Sequence, residues 1–193
     1  FEQTMVNAAT KFPGVIRKGT AAFKELEDAA LKAGATTEFT ATQAAQALDF
    51  LAMAGFGPQA AISALPGVVD LATVSALGLG RATDIASDAL GAYGLMTDDV
   101  DKLAINLSRV NDVLATTATS SNTTVTQLFE AMKKAAPLAT LAGSNIETVS
   151  ALIGTMADAG TKSEKAGTAA TNKFLNLAAP ASNAVSNTPP TLP

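Results

Sequence analysis

The chain has 193 residues, of which 48% are hydrophobic, 16% charged and 5% aromatic, and its formal net charge is -4. This length suits one sizeable domain or two small helical ones, and a mildly acidic chain without a basic run lacks the charge pattern of a nucleic-acid-binding module. No cysteine or histidine is present, which excludes a thiol nucleophile, an imidazole base, disulfides and the usual zinc sites.

Helix start and stop signals predict two helices in the first part of the chain. The opening segment is expected to be helical to about Lys11, where Phe12-Pro13-Gly14 interrupts it. A second helix over roughly Thr20 to Ala33 is predicted to end at Gly34. Its apolar face would carry Phe23, Leu26 and Ala30, with Leu31 as a further candidate.

A third helix is predicted from Thr40 to Ala54. Thr40 and Gln43 have the spacing of a capping box, and Gly55 stands where a left-handed C-terminal cap belongs. The predicted apolar residues between them are alanines with a few larger side chains, Ala44, Ala47, Leu48, Leu51 and Met53, and Asp49 is the one charge. Side chains this small favour close packing of helix against helix.

The uncharged run from Phe50 to Val69 is about as long as a membrane span. Gly55, Gly57-Pro58 and Pro66-Gly67 interrupt it, so two short buried helices are the favoured interpretation over a true span. Proline suits the first position of a helix, so Pro58 is expected to begin one. Pro66 would either kink that helix or begin another that lasts to about Ala76.

Further helices are predicted over Arg81 to Ala92, after Gly78-Leu79-Gly80, and from Thr97 onward. The second of these would bury Leu103, Leu107, Val110 and Leu114, and the polar run Thr116 to Thr124 is expected to be a loop. The next helix would begin at Thr124 with Gln127, bend at Pro137 and end at Gly143, with one apolar side made of Val125, Leu128, Phe129, Met132 and Ala136.

Two more capping boxes are predicted in the last third of the chain, Ser144 with Glu147 and Thr161 with Glu164. The first would lead a helix that buries Ile146, Val149, Ile153 and Met156 and ends at Gly160. The second would lead a helix with Ala166, Ala170, Phe174 and Leu177 on one face, ending at Pro180. Several helices would stop at an Ala-Gly pair, which indicates either an old helix-hairpin duplication or simply glycine as the common helix stop: Ala33-Gly34, Ala54-Gly55, Ala142-Gly143 and Ala159-Gly160.

The densest acidic cluster is Asp98, Asp99 and Asp101. Paired carboxylates can act as acid and base or bind a hard cation, but acids in a first helical turn are also what the helix dipole favours, and we prefer that interpretation. We assign no catalytic, cofactor-binding or metal-binding residue to the chain, and we expect no enzymatic activity.

Three weaker signals also have structural explanations. The Gly78 to Thr83 segment begins like a dinucleotide-binding loop but lacks the third glycine and the preceding strand. Lys133 and Lys134 would form a basic patch with Lys162 and Lys165 only if the fold brings them together, and a solvated helix face is the default. Tyr93, the one tyrosine, is expected to be a half-buried packing residue with a hydrated hydroxyl.

Three stretches of the sequence resemble the core region of phage tail tape-measure proteins, in the order and spacing of that family. They are Thr37 to Phe56, Ala64 to Leu95 and Asp112 to Leu177. The most specific pieces are the helix end LAMAGF (residues 51–56) and the segment DAGTKSEKAGTA (residues 158–169). The family usually has a leucine and a basic residue after the second piece, where this chain has Ala170 and Thr171.

The resemblance implies an all-α bundle of short to medium, alanine-rich helices in a structural component of a phage or prophage tail. Tape-measure proteins lie in the lumen of the tail tube, determine tail length and assist genome delivery. The implied partners are tail-tube, tail-tip and tail-assembly chaperone proteins, other copies of the chain and the host membrane at infection, with no specific nucleic-acid site. The implied locations are the virion tail lumen and, during assembly, the host cytoplasm.

The expected organisation is an N-terminal helical segment (residues 1–35), a tape-measure-like helical core (residues 36–180) and a flexible tail (residues 181–193). Two other functions remain open at this point. One is a membrane-active, pore-forming helical domain that inserts the Phe50 to Ala76 hairpin. The other is a lytic enzyme domain, for which Asp98 or Asp101 would be the residues to test.

Overall fold

The computed structural model describes residues 1–14 and 16–178, and every regular element in these ranges is a helix. The predicted all-α, multi-helix architecture is therefore confirmed. The nine helices of the described ranges are α1 (Glu2–Lys11), α2 (Ala21–Thr36), α3 (Ala41–Met53), α4 (Pro58–Ser75), α5 (Leu79–Ala92), α6 (Val100–Ser120), α7 (Val125–Leu141), α8 (Ile146–Asp158) and α9 (Ser163–Ala178).

Side-chain caps begin three of these helices, α2, α3 and α7, at the threonines where the sequence predicts the helix to start. Thr40 accepts a hydrogen bond from the Gln43 backbone N–H while the Gln43 side chain accepts one from the Thr40 N–H, so both halves of the capping box are present. Thr20 and Thr124 accept from the third residue of α2 and α7 in the same way. Pro58 occupies the first turn of α4, as predicted.

One continuous hydrophobic core joins all nine helices, and alanine supplies much of it. Small side chains bring helix axes close together, so stability depends on many short contacts instead of a few large buried rings. The largest fully buried side chains include Phe56, Phe129 and Leu26. The predicted faces of α6 and α7 are buried as expected.

For description we group the helices that share this core into two sets, which we call lobes, although α6 packs more extensively on α4 than on any helix of its own set. The N-terminal lobe is α1–α5, in which α3 contacts α1, α2, α4 and α5. The C-terminal lobe is α6–α9, in which α7 and α9 form the most extensive pair. We call the contact between the lobes the seam. It consists mainly of α4 against α6, with α5 against α6 and α7. Residues 93–99 form the connection between α5 and α6.

Two predicted helix ends are wrong. Gly34 lies inside α2, which continues to Thr36. The glycine leaves room for the backbone of Ala41, since a Cβ at Gly34 would lie 2.4 Å from the Ala41 nitrogen. The polar run Thr116 to Thr124 is helical as far as Ser120. Hydroxyls of Thr119 and Ser120 bond to carbonyls of the preceding turn, so these side chains are compatible with a solvent-facing helix.

Two predicted capping boxes are also wrong. Asn145, not Ser144, caps α8 by accepting from the Thr148 N–H, and Glu147 forms an ion pair with Arg109 instead of bonding back to the cap. Helix α9 begins at Ser163, two residues after Thr161, and the Glu164 carboxylate contacts Lys134. In both cases the glutamate side chain pairs with a basic residue of another helix.

Smaller corrections concern exposure and helix breaks. Leu31 and Met53 are exposed rather than buried, and Met156 is half-buried. Pro66 begins no new helix, and α4 runs through it to Ser75. Gly80 belongs to α5, which begins at Leu79. The predictions for the Leu177 side chain, the end at Pro180 and the tail of residues 181–193 lie outside the described residues.

Candidate functional site

The acidic cluster forms the start of α6, as the dipole interpretation predicts. Asp99 is the N-cap residue and accepts from the Lys102 backbone N–H at 3.1 Å. This hydrogen bond, together with the Lys102 side chain, lowers the pKa of Asp99 below its ordinary value. Within the described residues, no group of three acidic side chains is arranged to hold a metal ion. The cluster is therefore explained by its position in the helix.

The Gly78 to Thr83 segment is a helix start without a preceding strand in the described part of the chain. Gly78 is the N-cap of α5, and Gly80 lies against the ring of Phe50, whose Cε2 atom would be 2.8 Å from a Cβ at that position. The glycine at position 80 thus leaves room for the Phe50 ring where α3 meets α5.

Tyr93 differs from its prediction. The residue is half-buried, as expected, but its hydroxyl is buried and has no hydrogen-bond partner among the described residues. Burial raises the pKa of Tyr93 well above its ordinary value because the phenolate would be poorly solvated. The residue lines a small cavity that also touches Leu95, Arg109 and Ile146.

The lysines of α7 and α9 make separate contacts. Lys134 Nζ lies 3.1 Å from the Glu164 carboxylate, and Lys162 Nζ lies 2.7 Å from the Asn122 side-chain oxygen. Lys133 Nζ lies 5.3 Å from the centroid of the Phe129 ring, within range of a cation–π contact. Lys165 is exposed. The first of these contacts connects α7 to α9, the second connects two turns and the third lies within α7, which favours a structural role for the lysines.

A cleft of about 600 Å³ lies where three interhelical connections meet. Its lining includes Pro13, Gly57, Gln59, Thr97 and Asp98. The Gln59 side chain is already bonded to Glu25, and the histidine and cysteine side chains that most often provide reactive chemistry are absent from the whole chain. We assign no function to this cleft.

Sequence analysis missed the bidentate ion pair between Arg109 of α6 and Glu147 of α8. Arg109 donates from Nε and Nη2 to the two carboxylate oxygens, the latter bond being 2.7 Å long. The hydrogen bond lowers the pKa of Glu147 and raises that of Arg109. Nothing in the sequence spacing connects residues 109 and 147, so only the packing of α6 on α8 reveals the pair.

The helix end LAMAGF forms a complete Schellman motif. Gly55 has a φ of 90°, the Gly55 N–H donates to the Ala52 carbonyl, and the Phe56 N–H donates to the Leu51 carbonyl at 3.0 Å. Phe56 is then fully buried. A left-handed residue is needed here because the chain must reverse while Phe56 enters the core, and glycine adopts that conformation without a Cβ clash.

The segment DAGTKSEKAGTA connects two turns of the C-terminal lobe. Asp158 accepts from the Asn122 backbone N–H at 2.6 Å, and Lys162 bonds to the Asn122 side chain. Gly160 has a φ of 87° and ends α8, as predicted. The turn between α6 and α7 is thereby held against the turn between α8 and α9.

The same segment then brings α9 into backbone contact with α7. A Cβ at Gly167 would lie 2.6 Å from the Ala131 carbonyl oxygen and 3.0 Å from the Ala131 Cα. One turn later the Thr171 hydroxyl donates to the Lys134 carbonyl at 3.1 Å. Contacts therefore advance along both helices together, so α7 and α9 run in the same direction. Thr171 departs from the family pattern, but it supports this close contact.

No single helix in ranges 1–14 and 16–178 is long and apolar enough to cross a membrane. Helices α4 and α5 pass that test of length and composition only when they are joined, and they meet at an angle of 113°.

Comparison with known proteins identifies the family to which these motifs belong. The family model for phage-related minor tail proteins matches residues 27–188. A tape measure protein of Pneumococcus phage Dp-1 is 37% identical over 151 residues, which is 78% of this chain but 12% of that protein's length. No solved structure matches the chain. The matched residues include the Schellman turn at Gly55 and the α7–α9 contact at Gly167, and the chain belongs to the phage-related minor tail protein family.

Proposed function

We propose that this chain is a segment of a tape-measure protein, a non-enzymatic part of a phage tail that sets tail length and assists genome delivery. The observation that carries the proposal is the 37% identity to a phage tape measure protein over 151 residues. The residues that build the bundle, at the Gly55 turn and the Gly167 contact, have structural roles that suit such a part. The chain spans only 12% of that relative, so the ruler function would belong to the longer protein.

The proposed location is the lumen of the tail tube, with assembly in the host cytoplasm. The proposed partners are tail-tube, tail-tip and tail-assembly chaperone proteins, further copies of the chain, and the host membrane at infection. Membership of a tail protein family supports association with other tail proteins. Many surface charges are engaged in pairs within the chain, such as Lys11 with Asp49 and Arg109 with Glu147, which limits long-range attraction to any polyanion.

For the domain organisation, we propose that residues 1–35 form a helical segment docked on a core of residues 36–180. The family match begins at residue 27, within α2, and does not include α1. Helix α1 packs mainly on α3, buries Met5, Ala8 and Ala9, and has the Lys11–Asp49 ion pair at its end. The contacts support docking of α1 on the core, and the start of the family match after α1 supports its treatment as a separate segment.

The test is a change in tail length when this segment is duplicated or removed in frame in the phage that encodes it. If residues 36–178 form one continuous helix in the tail, the tail length should change by roughly 210 Å, at about 1.5 Å per residue. A bundle that stays folded in the tail would be only roughly 40 Å across for its size. Electron micrographs of purified tails distinguish these values.

Duplication is the more informative arm because it leaves one intact copy of every contact. We expect longer tails after duplication and shorter tails after deletion. Tails of unchanged length after both changes would refute the ruler proposal for this segment. A change in length near the smaller value would indicate that the bundle remains folded inside the tube.

The alternative function, a membrane-active pore former, has one observation in its favour: α4 and α5 together have the length and composition of a broken span. In the structure the apolar side chains of these helices are buried in the bundle, among them Val68, Leu71 and Ile85. A family of phage tail proteins gives no support to pore formation. The tail role is therefore the conclusion we prefer.

A further inference from the structure

The order of the helix contacts follows the order of the chain. Every extensive contact between two helices of the described ranges joins a helix to the next one or to the next but one. The odd-numbered helices therefore form one layer, in which α1 packs on α3, α3 on α5, α5 on α7 and α7 on α9. The even-numbered helices form a second layer, from α2 through α4 and α6 to α8. The bundle is a two-layered stack that grows in chain order, and we call it the stack.

Neighbouring helices within a layer run in the same direction where their contacts can be followed. Arg109 in the middle of α6 pairs with Glu147 at the start of α8. The Asn122 N–H, just after α6, donates to the Asp158 carboxylate at the end of α8. These contacts advance along both helices together, so α6 and α8 are parallel, as α7 and α9 are. Helix pairs stacked in this way are the architecture of α-solenoids.

Both ends of the stack have polar outer faces. The exposed side chains include Gln3 and Asn7 on α1, and Thr168 and Asn172 on α9. Polar faces of this kind give the ends of a stacked array a stable contact with water. Helices α1 and α9 make no extensive contact with each other in the described part of the chain, so the stack does not close on itself. Each end therefore depends on the helices next to it.

Separate close contacts hold the two ends. At the N-terminal end, a Cβ at Gly34 would lie 2.4 Å from the Ala41 nitrogen, where α2 meets the start of α3. At the C-terminal end, a Cβ at Gly167 would lie 2.6 Å from the Ala131 carbonyl oxygen, where α9 meets α7. Helices α4, α5 and α6 lie between these two contacts in the stack. A change at one contact therefore reaches the other only through these three helices.

We propose that the stack opens from its ends in chain order, so that the helices of one end separate while the rest of the bundle stays folded. In a stack whose units contact only their neighbours, stability is close to a sum of local contributions. Alanine-rich faces favour this behaviour, because a helix that leaves exposes a relatively small apolar area. A force or a partner that acts on one end would then remove helices one after another. The proposal does not depend on the tape-measure assignment.

Hydrogen exchange of the full 193-residue chain under native conditions tests the proposal, with mass spectrometry of peptides from α1–α3 and from α7–α9. Gly167→Ala perturbs the C-terminal contact. Gly34→Ala is its counterpart at the N-terminal contact, since both changes add one carbon inside a helix against backbone atoms of another segment. Gly91→Ala in α5 is the matched control, because an added Cβ there has no atom within 4 Å.

We expect Gly167→Ala to speed exchange of the slowest amides of α7–α9 by at least about tenfold and to change those of α1–α3 by less than about twofold. Gly34→Ala should have the reverse effect, and Gly91→Ala should speed exchange at neither end. A bundle that unfolds only as a whole would behave differently. In such a bundle, any destabilising change would speed the slowest amides of both ends by the same factor.

A milder threonine variant at each end replaces a glycine variant that does not fold. Thr171→Ala removes the hydrogen bond to the Lys134 carbonyl, and Thr40→Ala removes the capping box of α3. Faster exchange confined to the end that carries the substitution, in variants of both ends, would support the proposal. A change of more than about twofold at the far end would overturn it, because the ends would then unfold together. Faster exchange at neither end would also overturn it, because the close contacts would then not hold the end helices.

Discussion

The close contact between α7 and α9 predicts that Gly167→Ala destabilises the protein although alanine is the better helix former. The added Cβ would lie 2.6 Å from the Ala131 carbonyl oxygen and 3.0 Å from both the Ala131 Cα and the Lys134 Cβ. Two of these atoms belong to the backbone, so α9 must move away from α7 as a whole. That movement also lengthens the bond from Thr171 to the Lys134 carbonyl.

The magnitude follows from two opposing contributions. Forcing an extra carbon into a well-packed contact costs roughly 1–3 kcal/mol, and rigid backbone atoms favour the upper end. The gain in helix propensity from glycine to alanine is about 1 kcal/mol. We therefore expect a net loss of about 2 kcal/mol, which lowers the melting temperature by roughly 4–8 °C in a chain of this size.

Urea unfolding followed by circular dichroism at 222 nm measures this loss. Gly91→Ala is the matched control, because Gly91 is helical and exposed and has no atom within 4 Å of an added Cβ. This variant should unfold at an unchanged or higher urea concentration, since only the propensity gain of up to about 1 kcal/mol applies. A Gly167→Ala protein as stable as the wild type would refute the close approach of α9 to α7.

Three further results are expected. Thr40→Ala should lower the free energy of unfolding by about 1 kcal/mol, measured in the same urea assay, because it removes the capping box with Gln43, whereas Thr36→Ala should change it little. The depressed pKa of Glu147 contributes stability that is present above its ordinary value of 4.5 and is lost as the pH falls below it. Glu147→Gln should therefore reduce stability by up to about 1 kcal/mol at pH 7 and by less at pH 3, and an equal loss at both values would contradict the role of the pair with Arg109. Liposomes loaded with dye should not leak at micromolar protein, and rapid leakage would revive the pore-forming alternative.

Helix ends show how far local reasoning reaches. At Gly55, Gly143 and Gly160 the glycine follows an alanine, has a positive φ and ends a helix, as predicted. At Gly34 the same Ala-Gly pair lies inside α2, and the glycine there leaves room for the backbone of Ala41. A helix stop depends on a few neighbouring residues, but a close approach depends on which other segment arrives there.

The burial of Asn111 could have been predicted from its spacing in the sequence. Asn111 is four residues after Leu107 and three before Leu114, a spacing that places it on the predicted apolar face of α6. This spacing predicts that Asn111 is buried, but it does not predict that Asn111 faces Gly67. The pairing of Arg109 with Glu147 had no comparable signal, since the two residues lie on helices that meet only in the folded chain.

The sequence by itself determined the helical class, most helix starts and ends, the buried faces of α6 and α7 and the resemblance to tape-measure proteins. These depend on side-chain period, caps and glycine conformation, all of which act over a few residues. Only the tertiary structure decided that Gly167 serves a backbone contact, that Glu147 leaves its cap for Arg109, and that Asn111 is buried at the seam. The physical reason is that these outcomes depend on the distance between helices far apart in the chain, and alanine-rich faces permit several such arrangements until the whole bundle packs.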